Sequence, residues 1–391
     1  DADYNDIYLV NGAYAATIPP TNSPIIGTPL VPVIFASVSR WARDTGRDRH
    51  TFSTDPGFAD PGGGDFHLKS QLGRYVAASR TFVTDAVSSV LIDGGSPTWT
   101  YSAEPAPNGG RLNIGYYGNS GEESKTPTNS SLAVLSLNDG GRAEGTNWLL
   151  SWVARGDVLT QTVQLDYSPD VGLTWTNIAT GVAASSGQYV WDTTAYTSSV
   201  RALWRVVSEM DTNAVDVSDQ VFALRNAAFE FFVNDASTNG DIYCTATGST
   251  ANLGLVPSAP KDSVESVLAA WDLESGDIVF VDTGGYTNTA PITIGQLDAA
   301  GISNQVRMIV QGSTNYTAGG TVVDRQNVAN GVEILQSGGV EIRDLRIRNA
   351  VSGVKLNESD SGVIEWVDVG GGIAGFEVNR STDIRIRHCA A

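Results

Sequence analysis

The chain has 391 residues, with 24 Lys and Arg against 43 Asp and Glu, a formal net charge of −19. This acidity argues against nucleic acid as a partner, because phosphate binding needs a basic face, and it disfavours an anionic membrane surface for the same reason. The length exceeds one ordinary core and predicts two or three domains. Charged residues at 17% and 42 glycines predict a turn-rich β protein.

Residues 1–130 open with DADYNDIYLVNGAYA, a strand whose apolar positions are Tyr4, Ile7 and Leu9. Trp41 sits in a short helix-like stretch, ASVSRWARDTGRDRH. Next come DPGFADPGGGDFHLKSQLGRY (55–75) and LIDGGSPTWTYSAEPAPNGGRLNIGYYGNSGEESKT (91–126). Residues 131–226 differ: LLSWVARG, VQLDYSPDVGLTWTNIA, GQYVWDTTA, ALWRVVSEM and DVSDQVFALRN are short strands with alternating apolar residues. Such strands, separated by turn signals, predict a β-sandwich. Trp152, Trp175, Trp191 and Trp204 are expected largely in its core.

From residue 229 the pattern changes again. FEFFVNDASTNGDIYCTATGSTANLGLVPSAPK (229–261) is followed by Val264, Val267, Leu268 and Trp271 at amphipathic-helix spacing. GDIVFVDTGGY (276–286) then reads as a Gly-Asp turn and a strand. After it comes a repeat of period 22: GVEILQSGGVEIRDLRIRNAVS (331–352), GVKLNESDSGVIEWVDVGGGIA (353–374) and GFEVNRSTDIRIRHCAA (375–391). Val332, Val354 and Phe376 coincide, as do Ile334, Leu356 and Val378, and Ile342, Ile364 and Ile386. A strand pattern recurring at this interval predicts one solenoid turn per copy. Equivalent side chains then stack at the inter-strand spacing of roughly 4.8 Å.

The repeat resembles the right-handed parallel β-helix, the pectate-lyase-like architecture. Residues 229–286 resemble the start of secreted bacterial β-helix proteins: a strand, an Asn/Gly-rich loop, a capping helix (Lys261–Leu273) and a further strand. The phrases of 1–126 resemble the final coils of the same family, and 131–226 resembles an immunoglobulin or fibronectin type III-like module. The resemblance implies an all-β fold. Residues 1–130 would be C-terminal coils of a parallel β-helix, 131–226 the sandwich, and 227–391 capped N-terminal coils ending mid-coil.

Joined tail to head, 227–391 and 1–130 read as one continuous β-helix. With Asp1 first and Met210 and Met308 its only methionines, the chain reads as a processed product or an excerpt. No apolar run reaches the ~18 residues of a membrane span, and no signal peptide is visible. The expectation is a structural repeat of an extracellular filament or giant cell-surface protein, with copies of itself as head-to-tail partners. The expected interface residues are Asp1, Tyr4, Ile7, Leu9, Ile384, Ile386, Cys389 and Ala391. Ala391 would lie beside Asp1, and Ile384, Ile386 and Cys389 would stack under Tyr4, Ile7 or Leu9.

Two other readings compete: a secreted polysaccharide lyase or hydrolase, and a carbohydrate-binding adhesin, both with polysaccharide as partner. The enzyme needs Asp pairs, Arg or Lys bases, or a calcium site on neighbouring coils. The charged positions instead mix signs along the axis (Glu341–Arg385, Arg343–Glu365–Arg387, Glu333–Lys355–Glu377), which suits a solvated ladder. His50, His67 and His388 lie near no nucleophile motif, and no metal-ligand spacing is present. DADYND has Asp6 and Gly12 where a calcium loop needs Gly and Glu. Asp272, Glu274, Asp277 and Asp282 are dense, but Asp277 reads as turn chemistry. Cys244 and Cys389 read as small buried thiols, with a bridge between them as the alternative. No catalytic, metal or cofactor site is predicted. Acidity is spread over the whole chain: residues 1–130 carry −4, 131–226 carry −5 and 227–391 carry −10.

Overall fold

The structure, a computed structural model, describes residues 3–18, 33–295 and 306–391. The described residues are mostly β, with two short α-helices among them, Val38–Thr45 and Val264–Ala270. The chain divides into two compact units, one built on residues 35–226 with the N-terminal segment to Thr17, the other on 227–391.

In the second unit the strands fall into three parallel sheets. Sheet A takes Glu230–Val233, Ile278–Val281, Met308–Gly312, Val340–Arg343, Val363–Glu365 and Arg385–Arg387 in that order. Sheet B takes Gly284–Thr287, Thr321–Asp324, Leu345–Arg348 and Asp368–Gly370. Sheet C takes Ile292–Ile294, Val332–Leu335, Ser352–Asn357 and Ala374–Asn379. From Val332 on, the chain visits C, A and B in turn and returns one layer further along. The sequence period is therefore the layer. Alternate residues face inward, as the strand pleat requires, and they stack: Phe231, Val279, Val310, Ile342 and Ile364 form one buried column in register.

Each layer turns its corners on left-handed residues. Asn327, Asn349 and Gly371 occupy one corner position, and Gln336, Glu358 and Arg380 another; Gly339, Ser361 and Asp383, then Asp344, Trp366 and His388, occupy two more. A bulky Trp at φ 55 is unusual. What holds these positions is the ladder itself. The N–H groups of Gln336, Ser361 and Asp344 donate to carbonyls of the next layer at 3.0, 3.0 and 3.2 Å.

The start of this stack is closed. Phe232 N–H donates to Gly254 O (2.7 Å), and Lys261 and Asn234 continue the exchange, so the loop after Glu230–Val233 covers that strand's outer edge. The helix Val264–Ala270 is capped by the Ser263 hydroxyl and buries Val264 and Val267. It packs on the first strands of sheets A and C. Its Glu265 pairs at 2.9 Å with the guanidinium of fully buried Arg325.

In the first unit, Thr176–Ala183, Thr162–Ser168, Ser199–Ser208, Phe222–Leu224 and Arg142–Ala143 form one sheet, with Val215–Val217 also on Ser199–Ser208. Gln188–Trp191, Trp148–Arg155 and Ser131–Val134 form a second. Both contribute to a single core that includes Trp152, Trp191 and Trp204. Trp175 stays half-exposed beneath the Arg205 guanidinium, 4.2 Å from its ring.

Alternation then gives the second sheet another buried face. Ala133, Leu135 and Val153 pack there against Phe52, Leu68, Leu91 and Ile92. Arg155, buried and pushed down to about 10 by that burial, donates to the Val90 and Ile92 carbonyls and pins their segment to the sheet. Residues 58–83 pair as two antiparallel hairpins, Phe58–Asp60 with Asp65–Leu68 and Arg74–Val76 with Thr81–Val83. Asp6 bridges Phe52 in parallel. The segment expected as stacked coils thus closes a second core against the Trp148–Arg155 sheet.

Candidate assembly interface

The last layer of the second unit differs from every layer beneath it. Val354, Leu356 and Ile364 are 0% exposed, whereas their successors Val378 and Ile386 are 43% and 40% exposed. Phe376, Ile384 and Cys389 are half-buried, and Ala391 is exposed. The residues are of the same apolar type and occupy the same register positions. Among the described residues, no strand pairs with this layer on its outer side. Among the described residues, Ala374–Asn379 and Arg385–Arg387 are the terminal strands of sheets C and A.

The backbone is open on that side too. One layer down, Glu358, Ser361 and Trp366 donate their corner N–H groups to Asn379, Thr382 and Arg387 carbonyls at 2.9, 3.0 and 3.3 Å. The equivalent donors of Arg380, Asp383 and His388 have no acceptor among the described residues. Such a strand edge with half-covered apolar side chains is a template for further pairing.

Charge on this layer is set by the layer below. Arg380 pairs with Glu358 and Arg387 with Glu365, both at 3.0 Å, and Lys355 lies 3.6 Å from Glu377. Hydrogen bonds from Asn379 and Ser352, with Lys355 nearby, hold the Glu377 carboxyl below the usual carboxylate range. Exposed pairs of this kind contribute about 0–1 kcal/mol each, so they fix register more than stability. The His388 ring stacks on Trp366 at 4.4 Å, continuing a corner column outside the core. The expected Arg343–Glu365 pairing is present as register, but Arg343 takes Glu341 of its own strand at 3.1 Å.

The N-terminal members of the predicted interface sit in the first unit. Asp1 lies outside the described residues. Tyr4 stacks on His50 at 4.8 Å, and Asp3 accepts from the His50 backbone N–H at 2.7 Å. Ile7 N–H donates to Phe52 O and Phe52 N–H to Asn5 O, so this extended segment is already bonded in parallel along one edge. Burial pushes the Asp6 carboxyl up to about 7, against a hydrogen bond from Thr54 N–H. Leu9 is half-buried between exposed Tyr8 and Val10.

The residues weighed for chemistry hold structure together. Asp282, fully buried, accepts from the backbone N–H groups of Ile242, Tyr243, Cys244 and Thr283 at 2.6–2.8 Å. Asp277 accepts from Phe229 and Glu274 N–H. On sheet A, Asp344 takes hydrogen bonds from Tyr316 and Gln311, and Gln311 in turn accepts from Arg343. Among the described residues no group of three or more His, Cys, Asp or Glu side chains is placed to hold a metal ion, and no helix is long and apolar enough to cross a membrane. Cys244 and Cys389 are both free thiols.

Sequence reasoning did not place in the interface Phe376 and Val378, which share the last layer with Ile384, Ile386 and Cys389. The repeat already carried the signal for both, since they succeed Val354 and Leu356. No protein-family model, curated protein or solved structure was found to match the chain.

Proposed function

We propose that the second unit is a right-handed parallel β-helix, capped at its start and with no outer partner for its last coil among the described residues, and that residues 131–226 are an immunoglobulin-like sandwich. Parallel crossovers within one sheet are right-handed in nearly all cases. The protein is a structural repeat unit of an extracellular filament or cell-surface assembly, and copies join head to tail by adding strands to the open coil. Such contacts do not close on themselves, so they build fibres. The carrying observation is the step in exposure from Leu356 and Ile364, both 0%, to Val378 and Ile386, at 43% and 40%. A dispersed net charge of −19 favours fibres that stay apart laterally.

The test is sedimentation velocity and negative-stain microscopy of the chain over a concentration series. Concentration-dependent linear oligomers are expected, abolished by Val378→Asp or Ile386→Asp while the far-ultraviolet circular dichroism is unchanged. A monomer at every concentration, or oligomers indifferent to both substitutions, overturns the reading.

A further inference from the structure

We infer that the strand completing the open coil is Ile7–Asn11 of a second copy, laid parallel on Ala374–Asn379 with Ile7 over Phe376 and Leu9 over Val378. This rests on the proposed head-to-tail assembly and names the element that performs it. Sheet C repeats one local unit: an inward apolar residue, an outward residue, a second inward apolar residue, another residue, then a left-handed corner. It reads Val332-Glu333-Ile334-Leu335-Gln336, then Val354-Lys355-Leu356-Asn357-Glu358, then Phe376-Glu377-Val378-Asn379-Arg380, with φ 55, 54 and 46 at the three corners. Ile7-Tyr8-Leu9-Val10-Asn11 has the same pattern and ends at φ 55 on Asn11. Burial follows the pattern as well: Ile7 and Leu9 are half-buried, while Tyr8 and Val10 are each 49% exposed.

The hydrogen-bonding groups fit this placement. Asn5 and Ile7 spend theirs on Phe52 in a parallel bridge, which leaves the alternate groups, those of Asp6 and Tyr8, on the opposite edge. Neither Tyr8 nor Leu9 has a backbone partner among the described residues. In the stated register Val10 falls over Asn379, so the second lone pair of its carbonyl, which already accepts from Ala13 N–H at 3.1 Å, meets the Arg380 N–H, as the Asn379 carbonyl meets Glu358 N–H one layer down. Asn11 then lies over Arg380. An amide beside a charged corner residue already occurs lower in the stack, where Gln336 Nε2 donates to Glu358 at 3.0 Å.

Charge permits the same occupant. Residues 3–10 hold Asp3 and Asp6 and no base. The last layer's Arg380, Arg385 and Arg387 stay more than half exposed while each faces a carboxylate, Glu358, Asp383 and Glu365 in turn.

The register is testable by disulfide trapping. Parallel neighbours lie about 4.8 Å apart, and a slip of two residues takes the Cα atoms to about 8 Å, beyond disulfide reach. Two chains are prepared in a Cys389→Ser background, one with Tyr8→Cys and the other with Glu377→Cys, both at solvent-reached positions. Mixing and mild oxidation is expected to give a covalent heterodimer from this pair. It is expected to give none from Tyr8→Cys with Asn379→Cys, or from Val10→Cys with Glu377→Cys. If the chain forms linear oligomers but the first pair fails to cross-link, or the slipped pairs cross-link equally, the strand assignment falls and the assembly reading stands. If the chain forms no oligomers, the assembly reading falls with it.

Discussion

Ile364 and Ile386 occupy the same position in successive layers, so truncating each to Ala isolates the effect of the open end. Ile364 is 0% exposed and surrounded on all sides. Ile364→Ala removes its full transfer free energy and leaves a closed cavity, a cost of about 3–4 kcal/mol. Ile386 is 40% exposed. Ile386→Ala forfeits about three-fifths of the transfer term and leaves a dent that solvent fills, about 1 kcal/mol. Urea denaturation of dilute protein, followed by far-ultraviolet circular dichroism, should therefore separate the two by about 2–3 kcal/mol. The missing part of Ile386's burial should reappear in assembly. Covering the exposed two-fifths is worth about 1 kcal/mol, so Ile386→Ala should weaken association roughly fivefold in sedimentation velocity. If Ile386→Ala costs as much as Ile364→Ala in dilute protein, the last layer is already covered and the reasoning is wrong. An unchanged association constant refutes it equally.

Three further outcomes follow from the geometry. Glu265→Gln strands the buried Arg325 guanidinium and should destabilise the second unit by about 3–5 kcal/mol, whereas Glu265→Leu with Arg325→Met should recover most of that; equal loss in both, read by urea denaturation, refutes the clamp. Glu123 is pushed up to about 7 from 4.5, chiefly by burial, with Glu104 adding to it. The folded state therefore holds a proton that the unfolded chain has released, and stability should fall as pH rises from about 4.5 to about 7. Asp6, raised to about 7, and Asp216, raised to about 6, contribute in the same direction. Glu123→Gln should flatten that dependence; denaturation midpoints at pH 5 and 8 that shift as much in the variant as in the parent would refute it. Finally, a maleimide should label Cys389 in dilute protein and label it more slowly in assembled protein, with buried Cys244 inert in both, its thiol pushed up by burial. Equal labelling of Cys389 in the two states, measured by mass spectrometry, counts against assembly at this face.

The part of the fold legible in the sequence was the part where layers are equal in length. Glu341, Val363 and Arg385 are successive partners 22 residues apart, so each core position announces the next. The earlier layers pair just as regularly, but Ile278 meets Ile309 and Ile292 meets Val332, spacings of 31 and 40. Unequal connections erase a period without disturbing the stack. The capping helix was readable because Val264 and Val267 fall on one face, and both are buried. The left-handed corners carry a readable signal where Asn327, Asn349, Gly339 and Gly371 hold them, and none where Gln336, Glu358, Arg380, Trp366 and His388 do. Residues 58–83 were read by the resemblance of their phrases to final coils, and within them the structure pairs two short antiparallel hairpins.

The corners also make the stack permissive. From Gln336 on, the chain leaves each sheet C strand at a left-handed residue and rejoins the next strand in register, and the pairing is just as regular where a layer repeats after 40 residues in place of 22. Length is thus decoupled from alignment, because the pairing is specified by inward side chains and corner N–H groups and not by the connecting chain. A foreign peptide inserted beside Glu358 or Trp366 would leave the core column through Ile342 and Ile364 in place. In the proposed head-to-tail assembly, such an insert would recur once per copy.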